Sequence, residues 1–218
     1  MKRLGNLPIT QRWMFGVIAL GIPASAIGAL YPSNTWLQVG PVALLLPPAM
    51  LVLRRWPISN VAAACIACFV LLHLVAARWS YGFVPYGNWL RALGVDNLDA
   101  GTAFQRNMFD RLVHFSFGLL VIIPFNEAAS CYGALSRRQA LFGAAMFVLA
   151  IGGLYEIFEW SLTMTMSPAD AGAYNGEQGD VFDSQKDMAV AALGAAFGVL
   201  LQLLLWRRSG FPDHLLQK

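Results

Sequence analysis

Six carboxylates are grouped near one end of the apolar segments of this chain, and two histidines are expected at a similar depth. The acids are Asp110, Glu156, Glu159, Asp180, Asp183 and Asp187, and the histidines are His73 and His114. A carboxylate in or near hydrocarbon is costly, so its default interpretation is a functional site that needs a partner. The grouping therefore predicts where the protein acts more firmly than what it does there.

Helical spacing places several of these side chains on shared faces. Asp110 and His114 are four residues apart, so they lie on one face of a helix with His114 about 6 Å deeper. The same rule pairs Glu156 with Glu159, and Asp183 with Asp187. Three different helices are thus expected to bring acids to one level.

So many neighbouring carboxylates cannot all stay ionised beside few cations. Either some are protonated or a bound cation holds them. Carboxylates with one or two imidazoles suit a hard or borderline metal such as Mg²⁺, Mn²⁺, Zn²⁺ or Fe²⁺. We therefore predict a divalent metal ion, and its identity stays open because the chain has no HExxH or ExxH motif. The predicted ligands are Asp110, His114, Glu156, Asp183, Asp187 and His73.

The same residues suggest catalytic and binding roles. A metal would activate water, and Glu156, Glu159 or His114 would move the proton. Arg106 and Arg111 flank the Asp110 end of the helix. In the simpler interpretation, these arginines balance the negative charge of the acids. In the more specific one, they bind the phosphate or carboxylate of an anionic lipid headgroup or envelope ligand.

Simpler interpretations of individual residues stay open. Asp180 or Asp183 could cap a helix, since GDVFDSQKD is typical of a helix start. Glu159 adjoins Trp160, which is typical of the membrane interface, so it could be a solvated outer residue. A lone histidine in a membrane helix can also simply hydrogen-bond a neighbour.

The elements that must position these residues are membrane helices. The chain is 57% hydrophobic and 12% charged, whereas a soluble domain carries about 25% charged residues. We predict an all-α, polytopic membrane protein, with six transmembrane helices in one bundle forming a single integral membrane domain over residues 1–218. The net charge of +3 is too small to indicate a nucleic-acid partner. The predicted spans are 13–30, 36–53, 58–78, 108–126, 139–162 and 183–206.

The distribution of lysine and arginine predicts the orientation. Ten of the 15 lie on one side of the predicted bundle, which by the positive-inside rule places both termini in the cytoplasm. Loops 79–107 and 163–182 then lie outside, with Tyr81, Tyr86 and Trp89 expected at headgroup level. The first apolar run is expected to be an anchor rather than a removable signal peptide. We therefore predict a multi-pass protein of the bacterial inner membrane, in contact with the lipid bilayer, whose site faces the periplasm.

Four segments carry a resemblance to a known family: FDRLVHFSFGLL, GGLYEIFEW, GDVFDSQKDMAVAALGAAFG and LLHLVAARWSYGFVPYG. They resemble the uncharacterised bacterial inner-membrane family typified by YjdF, across spans three to six. The order of an Asp-Arg-His helix, a glutamate helix and an aspartate-rich helix is also distantly similar to VanZ-like proteins. The resemblance implies motif residues without assigned roles: Asp110, His114, Glu156, Glu159, Asp180, Asp183 and Asp187.

Three functions are compatible with these observations, and the sequence does not decide whether the protein is an enzyme. The first is a metal-dependent membrane enzyme acting on a lipid or envelope substrate. The second is an ion-coupled transporter, which ranks lower because transporter sites lie near the midplane and the inner half offers only Glu127 and Gln202 as notable polar groups. The third is a non-catalytic module that binds an envelope ligand.

Overall fold

The computed structural model describes residues 6–95 and 106–209, with side chains as far as Trp206, and every regular element in those ranges is a helix. The prediction of an all-α protein is confirmed. Lys2, Arg3 and Lys218, and the side chains of Arg207 and Arg208, lie outside the described residues. The helices are α1 (Ile9–Ala26), α2 (Pro32–Arg55), α3 (Asn60–Arg78), α4 (Tyr86–Ala92), α5 (Phe109–Tyr132), α6 (Arg137–Thr163), α7 (Pro168–Asn175) and α8 (Asp183–Ser209).

Five of these helices, α2, α3, α5, α6 and α8, are long and apolar enough to cross a membrane. The predicted count of six spans is therefore not reached within the described ranges. The remaining long helix, α1, has 18 residues. Its first turn contains Thr10, Gln11 and Arg12, which lower the mean hydropathy of so short a helix. Four helices, α2, α5, α6 and α8, extend beyond the predicted limits, most clearly α5, which continues to Tyr132, whereas α3 lies within its predicted span and α1 is shifted towards the N-terminus.

Glycines let α5 and α8 approach until their backbones touch. A Cβ atom at Gly118 of α5 would overlap the carbonyl oxygen of Ala191, and one at Gly194 of α8 would overlap that of Phe115. Small residues at such a contact are what allow membrane helices to pack closely. The GAAFG segment thus contributes to packing within the bundle, and it holds together the two helices that carry Asp110, Asp183 and Asp187.

Replacing Gly194 by Ala is expected to destabilise the protein by about 1–3 kcal/mol, because α5 and α8 must move apart to admit the methyl group. The matched control is Gly16→Ala in α1, where an added Cβ would meet nothing within 4 Å. Thermal unfolding in detergent compares the two variants. If both melt at the temperature of the unmodified protein, the close contact of α5 and α8 does not exist as described.

Polar contacts align the ends of α5 and α8 that carry the acids. Asn107 N–H donates to Oε1 of Gln178 at 2.8 Å, and the Gln178 amide donates back to the Asn107 carbonyl at 3.2 Å. Arg106 donates to the carbonyls of Glu177 and Gly176 at 2.6 and 3.0 Å. The segments preceding the two helices are therefore fastened to each other, which fixes the relative depth of their first turns.

At the opposite end of the bundle, Glu127 of α5 holds the start of α3. Its Oε1 accepts from Ser59 N–H at 2.5 Å and its Oε2 from the Ser59 hydroxyl at 2.6 Å. Ser59 in turn caps α3 by accepting from Ala62 N–H at 3.1 Å. The Glu127 carboxylate therefore has a structural role at this end of the bundle.

Candidate functional site

The first turns of α5 and α8 supply the aspartates of the site. Asp110 is the second residue of α5, while Asp183 begins α8 and Asp187 follows one turn later. Asp187 is only 2% exposed and Asp110 4%, so both lie well inside the bundle. Glu156 enters from α6 and is likewise buried. The structure therefore brings acids from three helices to one place, close to one end of the bundle.

Two arginines form the outer layer of this cluster. Arg106 Nη2 lies 2.5 Å from Asp183 Oδ1 and 3.8 Å from Asp110 Oδ2. Arg111 forms ion pairs with both Asp183 and Asp187. Through these contacts the two arginines balance the charge of the aspartates, which is the simpler of the two roles considered from the sequence. Both guanidinium groups are therefore already engaged with acids, although the buried Nε of Arg106 has no hydrogen-bond partner among the described residues.

His114 is the centre of the inner layer. Its Nε2 lies 3.5 Å from Asp110 Oδ1 and 3.9 Å from both Glu156 Oε1 and Asp187 Oδ1. One ligand atom each from Asp110, His114 and Asp187 can be chosen such that all three lie within 4.8 Å of one another. That separation is small enough for one cation to contact the three side chains together.

The carboxylate of Glu156 stands out because it is buried without a hydrogen bond. Glu156 is 5% exposed, and neither Oε1 nor Oε2 has a hydrogen-bond partner in the described part of the chain. An unsatisfied buried polar group costs about 1–3 kcal/mol, and more when it is charged. Its Oε1 is directed towards His114 Nε2. The cluster therefore contains an acceptor with the capacity for a proton or a cation.

Two other predicted residues lie at the margin of the site. Asp180 accepts two hydrogen bonds from Lys186 Nζ at 2.7 and 2.8 Å, which hold the pKa of this carboxyl below its ordinary value. Phe182 N–H also donates to Asp180 Oδ1 at 3.2 Å. Asp180 thus holds the turn that precedes α8. The Asp183 carboxylate pairs with Arg106 and Arg111 instead of capping the helix.

Glu159 is half-buried one turn beyond Glu156 on α6. It lies near Tyr174 of α7, a phenol whose pKa is raised to about 12 by burial, with the Glu159 charge adding to the rise. The convergent trio of Asp110, His114 and Asp187 includes neither glutamate, but Glu156 Oε1 lies 3.9 Å from His114 Nε2. Of the two predicted glutamates, the structure brings only Glu156 to the cluster.

His73 does not join the cluster, which corrects the sequence prediction. One ring nitrogen contacts the hydroxyl of Tyr81 and the other lies 3.1 Å from the carbonyl oxygen of Gln38. With both nitrogens occupied, the ring has no free lone pair to give a metal. Tyr81 itself was expected at headgroup level but is buried, because Ser80 and Tyr81 adopt positive φ angles of 49° and 57° and the chain turns back into the bundle.

Several polar residues of the bundle interior were not predicted from the sequence. Gln38 is 4% exposed, and its side-chain amide lacks a partner in the described ranges. A single glutamine within the apolar run of α2 was the available signal. The tyrosines Tyr155 and Tyr174 also face the interior beside His114 and Phe158, and their aromatic character gave no indication of this.

These features define a class: a helical, multi-pass integral membrane protein with a buried cluster of acids, arginines and a histidine. The chain belongs to the family described as Predicted membrane protein (DUF2238), whose model matches residues 10–208. It is 30% identical over 173 residues to the inner membrane protein YjdF of Escherichia coli (strain K12), covering 76% of each chain. No solved structure matches. The YjdF-type resemblance and the inner-membrane location are thereby confirmed, and the VanZ-like resemblance stays a prediction.

Proposed function

We propose that the cluster binds a divalent cation and that the protein is a metal-dependent enzyme acting on a lipid or envelope substrate. The observation that carries the proposal is the convergence of Asp110, His114 and Asp187 within 4.8 Å. The buried Glu156 carboxylate without a hydrogen bond is independent support. A cation would satisfy that carboxylate and relieve the repulsion among the acids.

The donor set suits the chemistry proposed for the ion. Carboxylate oxygens with one imidazole nitrogen are ligands for Mg²⁺, Mn²⁺, Zn²⁺ or Fe²⁺. Such an ion polarises an ester or phosphoryl oxygen and lowers the pKa of bound water. Glu156 is suited to take the proton, because its buried carboxylate lies beside His114. Arg106 is the more exposed of the two arginines, at 16% against 8% for Arg111, and is therefore the better placed to contact an anionic headgroup. Glu159, one turn beyond Glu156, is the second candidate for proton transfer.

The alternative of an ion-coupled transporter has less support. A transported ion must reach its site from both faces of the membrane. Glu127, the carboxylate of the inner half in the described chain, is engaged with Ser59 at the start of α3. A non-catalytic envelope-binding module would share the metal site but would lack turnover, and only activity assays with lipid substrates separate it from an enzyme.

Metal analysis of the purified protein is the direct test. We expect close to one equivalent of a divalent ion in protein purified in mild detergent without chelator. Chelation should lower the melting temperature and re-addition of the ion should restore it, since a ligand that binds only the folded state stabilises it. If no divalent ion changes the melting temperature after chelation, the metal proposal is withdrawn in favour of carboxylates that share protons.

We also propose that the site faces the periplasm, with both termini cytoplasmic, on the basis of the lysine and arginine distribution. Exposed Ala169 of α7 and exposed Leu135, between α5 and α6, are suitable positions for single cysteines after replacement of Cys65, Cys68 and Cys131. A membrane-impermeant maleimide should label Ala169→Cys in intact spheroplasts and Leu135→Cys only after lysis. The reverse pattern would place the site on the cytoplasmic side.

A further inference from the structure

A large cavity lies inside the bundle next to His114. Its volume is about 740 Å³, and residues of α1, α2, α3, α5, α6 and α7 line it. This is within the range of small-molecule sites, roughly 300–1,000 Å³. His114 also contacts the acidic cluster, so the cavity and the proposed metal site share a wall.

The cavity is polar at one end and apolar along its length. Its polar lining groups lie towards the end of the bundle that carries the acids, and they are Gln38, His73, Tyr81, His114, Tyr155 and Tyr174. Along α2 the lining continues from Gln38 to Ala49, a rise of about 16 Å over the intervening turns. That length is close to half of a hydrocarbon core about 30 Å thick. The cavity is thus about as deep as one leaflet of the bilayer.

The side-chain amide of Gln38 has no hydrogen-bond partner in the described chain. The residue is 4% exposed and lines the cavity, and both Nε2 and Oε1 of its amide lack hydrogen-bond partners. Its backbone carbonyl, in contrast, contacts His73. Of the two unsatisfied amide atoms, the Nε2 donor favours a ligand that carries an oxygen acceptor at this depth, such as the ester of a lipid.

The cavity reaches the lipid-facing surface between α2 and α6. Leu37 and Leu45 of α2 line it and are 38% and 61% exposed. Ile151 and Phe158 of α6 also line it and are 38% and 40% exposed. Residues that belong both to the cavity and to the outer surface mark an opening. Since these helices cross the membrane, the opening faces hydrocarbon rather than water.

We propose that this cavity holds one acyl chain of a glycerophospholipid that enters from the bilayer between α2 and α6. The ester lies at the Gln38 amide, and the phosphate end lies towards His114 and the acidic cluster. The proposal rests on the proposed function in that it names the substrate class of the metal site. The depth of the cavity, its side opening and the position of Gln38 are the features that fit this occupant.

Gly152 of α6 offers a way to fill the cavity without disturbing the fold. It lines the cavity and is buried, and a Cβ added there would meet nothing within 4 Å. Gly152→Leu is therefore expected to occupy the space of the chain. The matched control is Gly40→Leu in α2, where a Cβ also meets nothing within 4 Å and which does not line the cavity. Gln38→Leu removes the amide and serves as a second, independent variant.

Photo-crosslinking in proteoliposomes tests the proposal. The probe is a phosphatidylglycerol with a diazirine near the end of one acyl chain, and peptide mass spectrometry quantifies labelling of the half-buried cavity residues Phe69 and Val70 of α3. We expect these residues to be labelled in the unmodified protein and in Gly40→Leu. Labelling should fall at least fivefold in Gly152→Leu and severalfold in Gln38→Leu, with surface labelling unchanged.

Three results would overturn the proposal: no label at Phe69 or Val70, label that Gly152→Leu leaves intact, or displacement of the label by a polyisoprenyl phosphate at substoichiometric amounts. Metal content is measured on the same samples. Label that responds to Gly152→Leu in a protein without metal would refute the proposed function and leave the lipid site standing. Metal retained in a protein whose cavity is never labelled would refute the lipid site and leave the proposed function standing.

Discussion

Replacing Asp187 by Asn is expected to abolish the thermal stabilisation that a divalent cation gives the protein. Asp187 is 2% exposed, and its carboxylate converges with Asp110 and His114. Asparagine keeps the shape but loses the charge that draws a cation into a site of low dielectric. At an ion concentration 100 times the dissociation constant the stabilisation is about 2.7 kcal/mol, which corresponds to a shift of roughly 5–10 °C for a chain of this size.

The matched control for this experiment is Asp180→Asn. Asp180 lies at the rim and is held by Lys186, so its replacement should weaken the ion-dependent shift only modestly. The measurement is the difference in melting temperature with and without the ion for each variant, which removes effects on the stability of the metal-free protein. An unchanged shift in Asp187→Asn, or an equal loss in both variants, would exclude Asp187 as a principal ligand.

Replacing Arg111 by Met should produce the largest loss of folding stability, about 3–5 kcal/mol at neutral pH. The Arg111 side chain is 8% exposed and forms ion pairs with Asp183 and Asp187, which are also buried. Methionine fills much of the space but leaves the buried Asp187 carboxylate without its guanidinium partner, and leaves Asp183 paired with Arg106 alone. Breaking one side of a buried ion pair is more harmful than removing the pair, because the remaining charge cannot be solvated.

Lys186→Met provides the comparison for Arg111→Met. Lys186 also binds an aspartate, Asp180, but its side chain is 55% exposed, so water replaces the lost contact. Unfolding by sodium dodecyl sulfate should show a far smaller loss for this variant. Acidification should narrow the gap between Arg111→Met and the unmodified protein, since protonation removes the uncompensated charges. An equal loss of folding stability in Arg111→Met and Lys186→Met would mean that Arg111 is not buried as described.

The sequence by itself determined the class of the protein and the end of the bundle at which its acids gather. Apolar runs of about 20 residues require helices in a bilayer, because only a helix satisfies its own backbone there. The spacing of Asp110 and His114 placed both on one face, and the structure has them 3.5 Å apart. The number of spans was less certain, because α1 is short and carries Gln11 and Arg12 in its first turn.

Only the tertiary structure decided which of the equally deep residues meet. His73 and His114 were expected at the same level, yet His73 is directed to Tyr81 and His114 to the acids. Glu156 and Glu159 share a helix, but only Glu156 lies beside His114. The rotation of each helix about its axis depends on contacts such as the one between Gly118 and Ala191. Sequence periodicity specifies a residue's position along one helix and the face on which it lies. Which faces of neighbouring helices are turned towards each other depends on side-chain packing between distant parts of the chain.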